Sequence, residues 1–372
     1  MYNHKSSIHK AKVAALLLLS SFLMFSCEED EVEMGCSGAP VITSITKPTD
    51  RTAVLKESNL DDWIIIQGSS FCHVEQITLN DVNVDLADAY ITPSEITLRI
   101  PRKAPLVDSQ KITVRTKAGT GQYTYTIIVP PIVITGTKNE YAAPGESFFL
   151  NGDNFDVYEF ASKPGKVFFG TIEVPIDSAS KNTLYLKVPA GATAGDEIKV
   201  VNASGIERVA PFRYKDSRNL LFDFENSTNQ YVTDSPVPGG INGKYVRVNK
   251  QVNSWDVLEF AGGQVRLPAA AVSNPENYLL KFEVNTIMPF NSNRIRLMLD
   301  GNWGTENTYN WVSNPAFHTN GMWETMAIPL NSIINKPLDP GKETYKAEFI
   351  FHGNGVLTAD MSFDNFRVVP KN

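Results

Sequence analysis

The chain reads as an all-β protein made of successive sandwiches, and three observations carry that reading. Short runs rich in β-branched and aromatic residues recur along it, among them "WIIIQG", "ITLRIP", "KITVRT", "SFFLNG", "KVFFGT", "LYLKVP" and "EIKVVN", each bounded by Gly, Pro, Asn or Asp. Side chains alternate between the two faces of a strand, so such runs make half-buried strands, and their spacing suits sandwiches rather than βαβ units. The order of the runs repeats once in the first half, which marks two copies of one module. No stretch shows apolar residues at helical spacing over a length that would make a substantial helix.

The N-terminus precedes all of this. Lys5, Lys10 and Lys12 form a basic region, and Val13 to Phe25 is an apolar run that is too short to span a bilayer. That pattern predicts a secretory signal over residues 1–26. Ser26-Cys27 resembles the lipobox of bacterial lipoproteins, and Glu28-Glu29-Asp30-Glu31 resembles the export tag of Bacteroidetes surface lipoproteins. The resemblance implies lipidation at Cys27, an acidic linker over residues 27–39, and a chain tethered to the outer membrane and facing outward at the cell surface. Losing the signal removes three Lys and no acid, which leaves 31 basic residues against 41 acidic ones and a formal charge of −10. With no basic patch, nucleic acid is excluded as a partner. Cys36 and Cys72 are the only other cysteines, free to pair in an oxidising envelope but too few for a disulfide framework.

The repeat sets the next two modules, at residues 40–130 and 131–215. "WIIIQGSSF" matches "FFLNGDNF", each a strand running into Gly-x-x-Phe. "QITLNDVNV" then matches "KVFFGTIEV", "EITLRIP" matches "TLYLKVP", and "KITVRTKAGTG" matches "EIKVVNASGIE". This order resembles the IPT/TIG family of immunoglobulin-like sandwiches, with the second copy the closer of the two. The aromatic residues of both copies are accounted for as strand cores, Trp63 included, so the pair reads as a stalk.

From Asp216 the texture changes, and four of the five Trp fall beyond residue 216. "NLLFDFEN" opens this region, "GMWETMAIPL" crosses it and "MSFDNFRVVP" closes it. These segments resemble jelly-roll carbohydrate-binding β-sandwiches, in which the first and last strands pair. Together with "VRLPAAAVSNPENYLLKFEVNT" they resemble the C-terminal domain of Bacteroidetes surface glycan-binding proteins. That resemblance implies a polysaccharide ligand, and the charge and aromatic bias favour a neutral one such as a β-glucan or plant hemicellulose. It also implies a TonB-dependent transporter and a companion glycan-binding lipoprotein as partners. Residues 216–372 are expected to fold alone and to hold the site.

The candidate site begins with "NWGTENTYNW", residues 302–311, which is too polar for a buried strand and too aromatic for an ordinary loop. An indole or phenol laid on the C–H face of a sugar, with amides around its hydroxyl rim, is how proteins grip a pyranose. Trp303, Tyr309 and Trp311 are candidate stackers and Asn310 a hydroxyl partner. Tyr309 and Trp311 share parity and point the same way on one strand, and the competing reading makes Trp311 a core residue. Trp255 in "VNSWDVLEF" is a further aromatic in polar company. Arg294 and Arg296, alternating with Ile295 and Leu297, face outward beside the loop and suit vicinal hydroxyls, or serve only as a solvated face. Trp323 lies inside the crossing strand and reads as structural.

Asp223 and Glu225 share a face of one terminal strand and Asp364 lies on the other, which offers hard oxygen ligands for a structural Ca²⁺. No other cofactor is implied. No carboxylate pair sits in a recognisable cleft, and neither H-E-x-x-H nor a nucleophile elbow occurs. His352 in "FIFHGNG" ends a strand and reads as incidental. The chain is therefore expected to be no enzyme but a capture protein, the other reading being a surface adhesin that binds a protein through its Ig-like modules.

Overall fold

The structure, a computed structural model, describes residues 36–163, 165–312 and 314–371. Cys27 and its acidic neighbours lie outside the described residues. Among those described, no helix is long and apolar enough to cross a membrane, which says nothing of β-barrels. The architecture is all-β, as the alternating runs predict, and falls into two compact units.

The first unit holds residues up to 101 and 107–128. One sheet orders Val41–Thr46, Trp63–Ser69, Glu95–Arg99 and Tyr90–Ile91, and the facing sheet orders Val82–Asn83, Val74–Leu79, Lys111–Thr116 and Gly119–Thr124. Ile45, Ile64, Ile77, Ile96, Ile112 and Val114 are wholly buried between them. A disulfide joins Cys36 to Cys72 across a Cα separation of 6.0 Å. Trp63 departs from expectation. It opens its strand on the side opposite Ile64 and is 51% exposed, so it is a surface residue and not core.

The Gly-x-x-Phe repeat has one physical cause in both copies. A Cβ on Gly68 would lie 1.9 Å from the Val41 carbonyl oxygen, and a Cβ on Gly152 would lie 2.0 Å from that of Val133. Only glycine lets the neighbouring strand pass so close. The chain then turns through Ser70 or Asn154 at positive φ, and buries Phe71 or Phe155 beneath the same crossing.

The second unit holds residues 102–106 and 129–371. Its first sandwich packs Val133–Thr137, Ser147–Asp153, Thr183–Lys187 and Ser178–Ala179 against Ile172–Pro175, Lys166–Phe169, Glu197–Val201 and Glu207–Arg213. Its second sandwich has one sheet of Val232–Thr233, Tyr245–Val252, Leu357–Pro370, Tyr278–Thr286 and Trp323–Pro329. The opening strand Leu220–Phe222 pairs antiparallel with the closing strand Leu357–Pro370. The other sheet orders Leu258–Val265, Tyr345–Phe351, Ile295–Leu299 and Thr308–Trp311. Phenylalanines fill the space between, with Phe260 on Phe363 at 4.4 Å, Phe349 on Phe366 at 4.6 Å and Phe282 on Phe366 at 4.8 Å.

The two sandwiches of this unit share a buried ionic cluster. On Tyr278–Thr286, Leu280, Phe282 and Val284 take the core face, while Lys281, Glu283 and Asn285 point the other way. A solvated face is the ordinary fate of such residues, yet all three are buried. Glu140 of the preceding sandwich lies among them. One of its oxygens takes Lys281, and the other takes Arg367 at 2.8 Å. Arg367, with no exposed surface, also forks onto Glu283 at 2.8 and 3.0 Å and lies 5.0 Å from the Tyr141 ring. Thr325 ties the edge strand in, donating its hydroxyl to Glu283 and accepting from the Glu140 N–H.

Removing one member of a buried ionic set leaves its partners desolvated and unpaired, which costs roughly 3–5 kcal/mol. Glu140→Ala is therefore expected to lower the stability of the second unit by about that amount in urea unfolding. An exposed pair such as Arg51–Glu95 serves as the control, since its loss is expected to cost under about 1 kcal/mol.

Candidate functional site

Three loops of the C-terminal sandwich meet, the second of them folding back from the far end of Ile295–Leu299 towards the start of that strand. They follow the strands Tyr245–Val252, Ile295–Leu299 and Tyr345–Phe351, and they carry Trp255, Trp303 and His352. The imidazole sits between the two indoles, with ring centroids 5.4 Å from Trp255 and 5.1 Å from Trp303, both edge-to-face. Each indole also has an arginine against it. Arg294 lies 5.2 Å from the Trp255 ring and Arg296 lies 5.6 Å from the Trp303 ring. The two indoles nevertheless remain 53% and 50% exposed. Large apolar rings held in place and still half open to water mark a binding surface.

The backbone holds this arrangement rigidly. The Trp255 N–H donates to the Gly353 carbonyl at 2.7 Å, and Ser254 reaches Asn354 at 3.1 Å. Trp255 has φ of 64°, a conformation that bulky residues rarely adopt and that the surrounding bonds enforce. Arg294 donates to the His352 carbonyl at 2.8 Å, and Arg296 to the Trp303 carbonyl at 2.7 Å. A Cβ on Gly353 would fall 2.7 Å from the Arg294 nitrogen, so that close approach requires glycine. Asn335 clamps the Trp303 loop from outside, accepting from the Asn307 N–H at 2.9 Å and donating to the Thr305 carbonyl at 2.7 Å. Rings ordered before a ligand arrives lose little entropy on binding it.

The predicted residues divide into two groups. Trp255, Trp303, Arg294 and Arg296 come together as expected, and Asn310 lies directly across from Arg296 on the neighbouring strand. Arg296 is 7% exposed, and burial beside Arg294 lowers its pKa. Its Nε and the Asn310 Oδ1 are buried with no protein partner. Such groups suit a ligand hydroxyl or ordered water. Trp311 and Tyr309 correct the expectation. Trp311 is only 8% exposed and packs on Phe317 at 5.2 Å, Phe290 at 5.3 Å and Phe282 at 6.0 Å. Tyr309, of the same parity, packs half-buried against the same core. Both therefore serve the sandwich interior and not the platform. His352 is the residue the sequence reading passes over, although its place in a Gly- and Asn-rich strand end is the loop context that Trp255 also has.

The three carboxylates proposed for calcium are neighbours, because Glu225 and Asp223 both contribute to the raised pKa of Asp364. Among the described residues, no group of three or more His, Cys, Asp or Glu is arranged to hold a metal. The Glu225 carboxylate instead accepts the Lys244 N–H at 3.1 Å. Asp364 is 1% exposed, and its Oδ2 has no hydrogen-bond partner. Burial is the main force lifting its pKa from 3.8 to about 8.

The folded chain thus keeps a proton that the unfolded chain releases between pH 3.8 and about 8, so stability falls as pH rises through that window. Asp364→Asn is expected to melt higher than wild type at pH 8 and close to it at pH 4. Melting curves at the two pH values test this, and an equal offset at both would contradict it.

The fold and this site define a class in which tandem immunoglobulin-like sandwiches lead to a terminal sandwich that presents aromatic side chains from its loops. Residues 214–370 match the family described as the surface glycan-binding protein B xyloglucan binding domain. The fold of the chain is similar to that of a surface glycan-binding protein from Prevotella bryantii, with a TM-score of 0.61 at 18% identity over 91% of this chain and 100% of that one. A counterpart from a complex xyloglucan utilization locus in Bacteroides uniformis is 17% identical, with a TM-score of 0.47 over 89% of this chain and 99% of that one. An IPT/TIG domain-containing protein of Bacteroides ovatus is 24% identical over 192 residues, which is 48% of this chain and 38% of that relative's own length. The resemblance to surface glycan-binding proteins with IPT/TIG-like domains therefore holds.

Proposed function

We propose that this chain captures a polysaccharide at the cell surface without cleaving it. One observation carries the reading: two half-exposed indoles, Trp255 and Trp303, are locked around His352 by paired arginines on the C-terminal sandwich. The polymer is a neutral β-glucan or hemicellulose, and xyloglucan, named in the matched family's description, leads the candidates. A sugar ring stacks on each indole, while Arg296 and Asn310 are placed for hydroxyls at its rim. Each stacked ring contributes a couple of kcal/mol, so two platforms alone give affinity of about millimolar order, and hydrogen bonds at the sugar rims carry it towards the micromolar range. That strength suits a protein that releases its polymer to a TonB-dependent transporter and a companion glycan-binding lipoprotein. The proposed anchor is the lipid on Cys27.

Trp303→Ala is expected to weaken xyloglucan binding by about 1–3 kcal/mol in titration calorimetry while leaving the melting temperature nearly unchanged. Trp311→Ala is the contrast. Truncating a core tryptophan costs roughly 3–5 kcal/mol of folding stability. A Trp303→Ala variant that binds β-glucans, xyloglucan included, as tightly as wild type would overturn the site, and release of new reducing ends from the polymer would overturn capture without cleavage.

The anchor is tested separately. Cys27→Ala is expected to abolish palmitate labelling and move the chain to the soluble fraction. Labelling that persists in the variant would show that Cys27 is not the lipidated residue.

A further inference from the structure

Trp323 is a second indole site of a different kind. It opens the edge strand Trp323–Pro329, and its Nε1–H donates to the Gly239 carbonyl at 2.9 Å. Its ring meets Tyr245 edge-to-face at 5.7 Å. These contacts fix the ring, yet it remains partly exposed where the core indole Trp311 is buried. The open part of the ring lines a cleft of about 470 Å³ between the two sandwiches of the second unit, within the usual ligand-cavity range of roughly 300–1,000 Å³.

The facing wall also carries rings. Phe149 points outward from Ser147–Asp153, between the inward-facing Phe148 and Leu150, and it lines the cleft. Tyr185, its cross-strand partner, is 38% exposed and meets it edge-to-face at 5.6 Å. Trp323 and Phe149 thus put aromatic surface on both walls of the cleft, and Met322, 62% exposed, also lines it. Polar groups border the cleft without a net charge. Lys138 is neutralised by Glu324 at 2.8 Å, and Lys187 and Glu146 line the same cleft. The walls cannot drift apart freely, because the Thr325 N–H donates to the Lys138 carbonyl at 2.9 Å and the Glu140 cluster lies beside them.

We infer that this cleft is a second saccharide subsite, taking a neutral pyranose of the captured chain on the Trp323 indole. The ring supplies the stacking face, the Asn139 amide and the Thr137 and Ser147 hydroxyls that line the cleft serve its hydroxyls, and the balanced charge disfavours uronates. This inference rests on the reading of the chain as a glycan binder.

The five tryptophans allow both sites to be read at once in the full chain. With 5-fluorotryptophan incorporated and each resonance assigned by a single Trp→Phe change, cellotetraose and a xyloglucan heptasaccharide are titrated in and followed by fluorine NMR. The Trp323 resonance is expected to move saturably, and to keep moving in the Trp255→Ala/Trp303→Ala variant. Met322→Glu, at an exposed position, is expected to weaken the Trp323 response at least about fivefold and leave those of Trp255 and Trp303 unchanged. A Trp323 resonance that stays still while Trp255 and Trp303 move overturns the subsite and leaves the proposed function standing, as does Trp323 movement that vanishes in the double variant. Movement of Trp323 alone supports the subsite and overturns the loop site. Silence of all the resonances overturns both.

Discussion

The wholly buried guanidinium of Arg367 holds carboxylates from two different sandwiches, and much of the second unit's geometry depends on that bond set. Lys281 and Arg367 face Glu140 and Glu283, so the charges balance in a space that excludes water. Such a cluster is weak evidence for stability as such, because a well-packed apolar replacement is often as stable. Its directional bonds instead admit one docking geometry. Burial still raises Glu283 to about 7 even with Arg367 opposing it. The edge strand carrying Thr325 and Trp323 is fixed by the same contacts, and the cleft beside it has defined walls as a result.

The loop site is built on another principle. Beneath it lies the phenylalanine core, and backbone and side-chain bonds between the turns tie it together. Cation–π contacts and edge-to-face packing hold Trp255, Trp303 and His352 in fixed relation while leaving both indoles half exposed. The strained φ of Trp255 is sustained because Asp256 accepts from the Asn253 N–H within the same turn, while Trp255 and Ser254 bond to Gly353 and Asn354 of the neighbouring loop. Rigid rings suit weak, repetitive binding to a polymer, since each stacking contact is small and gains most when little has to be ordered.

The strands and their modules were legible in the chain because period-2 alternation is a local property, and so was the glycine of each Gly-x-x-Phe turn. Gly68 and Gly152 are demanded by a strand crossing within van der Waals distance, a need that no other residue meets. Five residues of the candidate loop site, Asn310 included, were legible as well, since aromatic residues in polar runs lack apolar neighbours to share a core with, and Arg294 and Arg296 alternate with Ile295 and Leu297. His352 was not, because nothing within "FIFHGNG" indicates which distant loops approach it.

What the sequence determined, then, was which residues form strands and which of their side chains share a face. Only the tertiary structure decided which face is inside. Tyr309 and Trp311 alternate with polar residues just as a solvent-facing platform would, and only the packing of their strand turns them towards the core, Trp311 onto Phe282, Phe290 and Phe317. Lys281 and Glu283 alternate as a solvated face would, and a second sandwich covers them. Trp323 looks structural in its strand, and a neighbouring wall makes its ring the side of a cleft. Alternation records a difference between two faces, and burial depends on what lies against each of them, which residues far away in the chain supply.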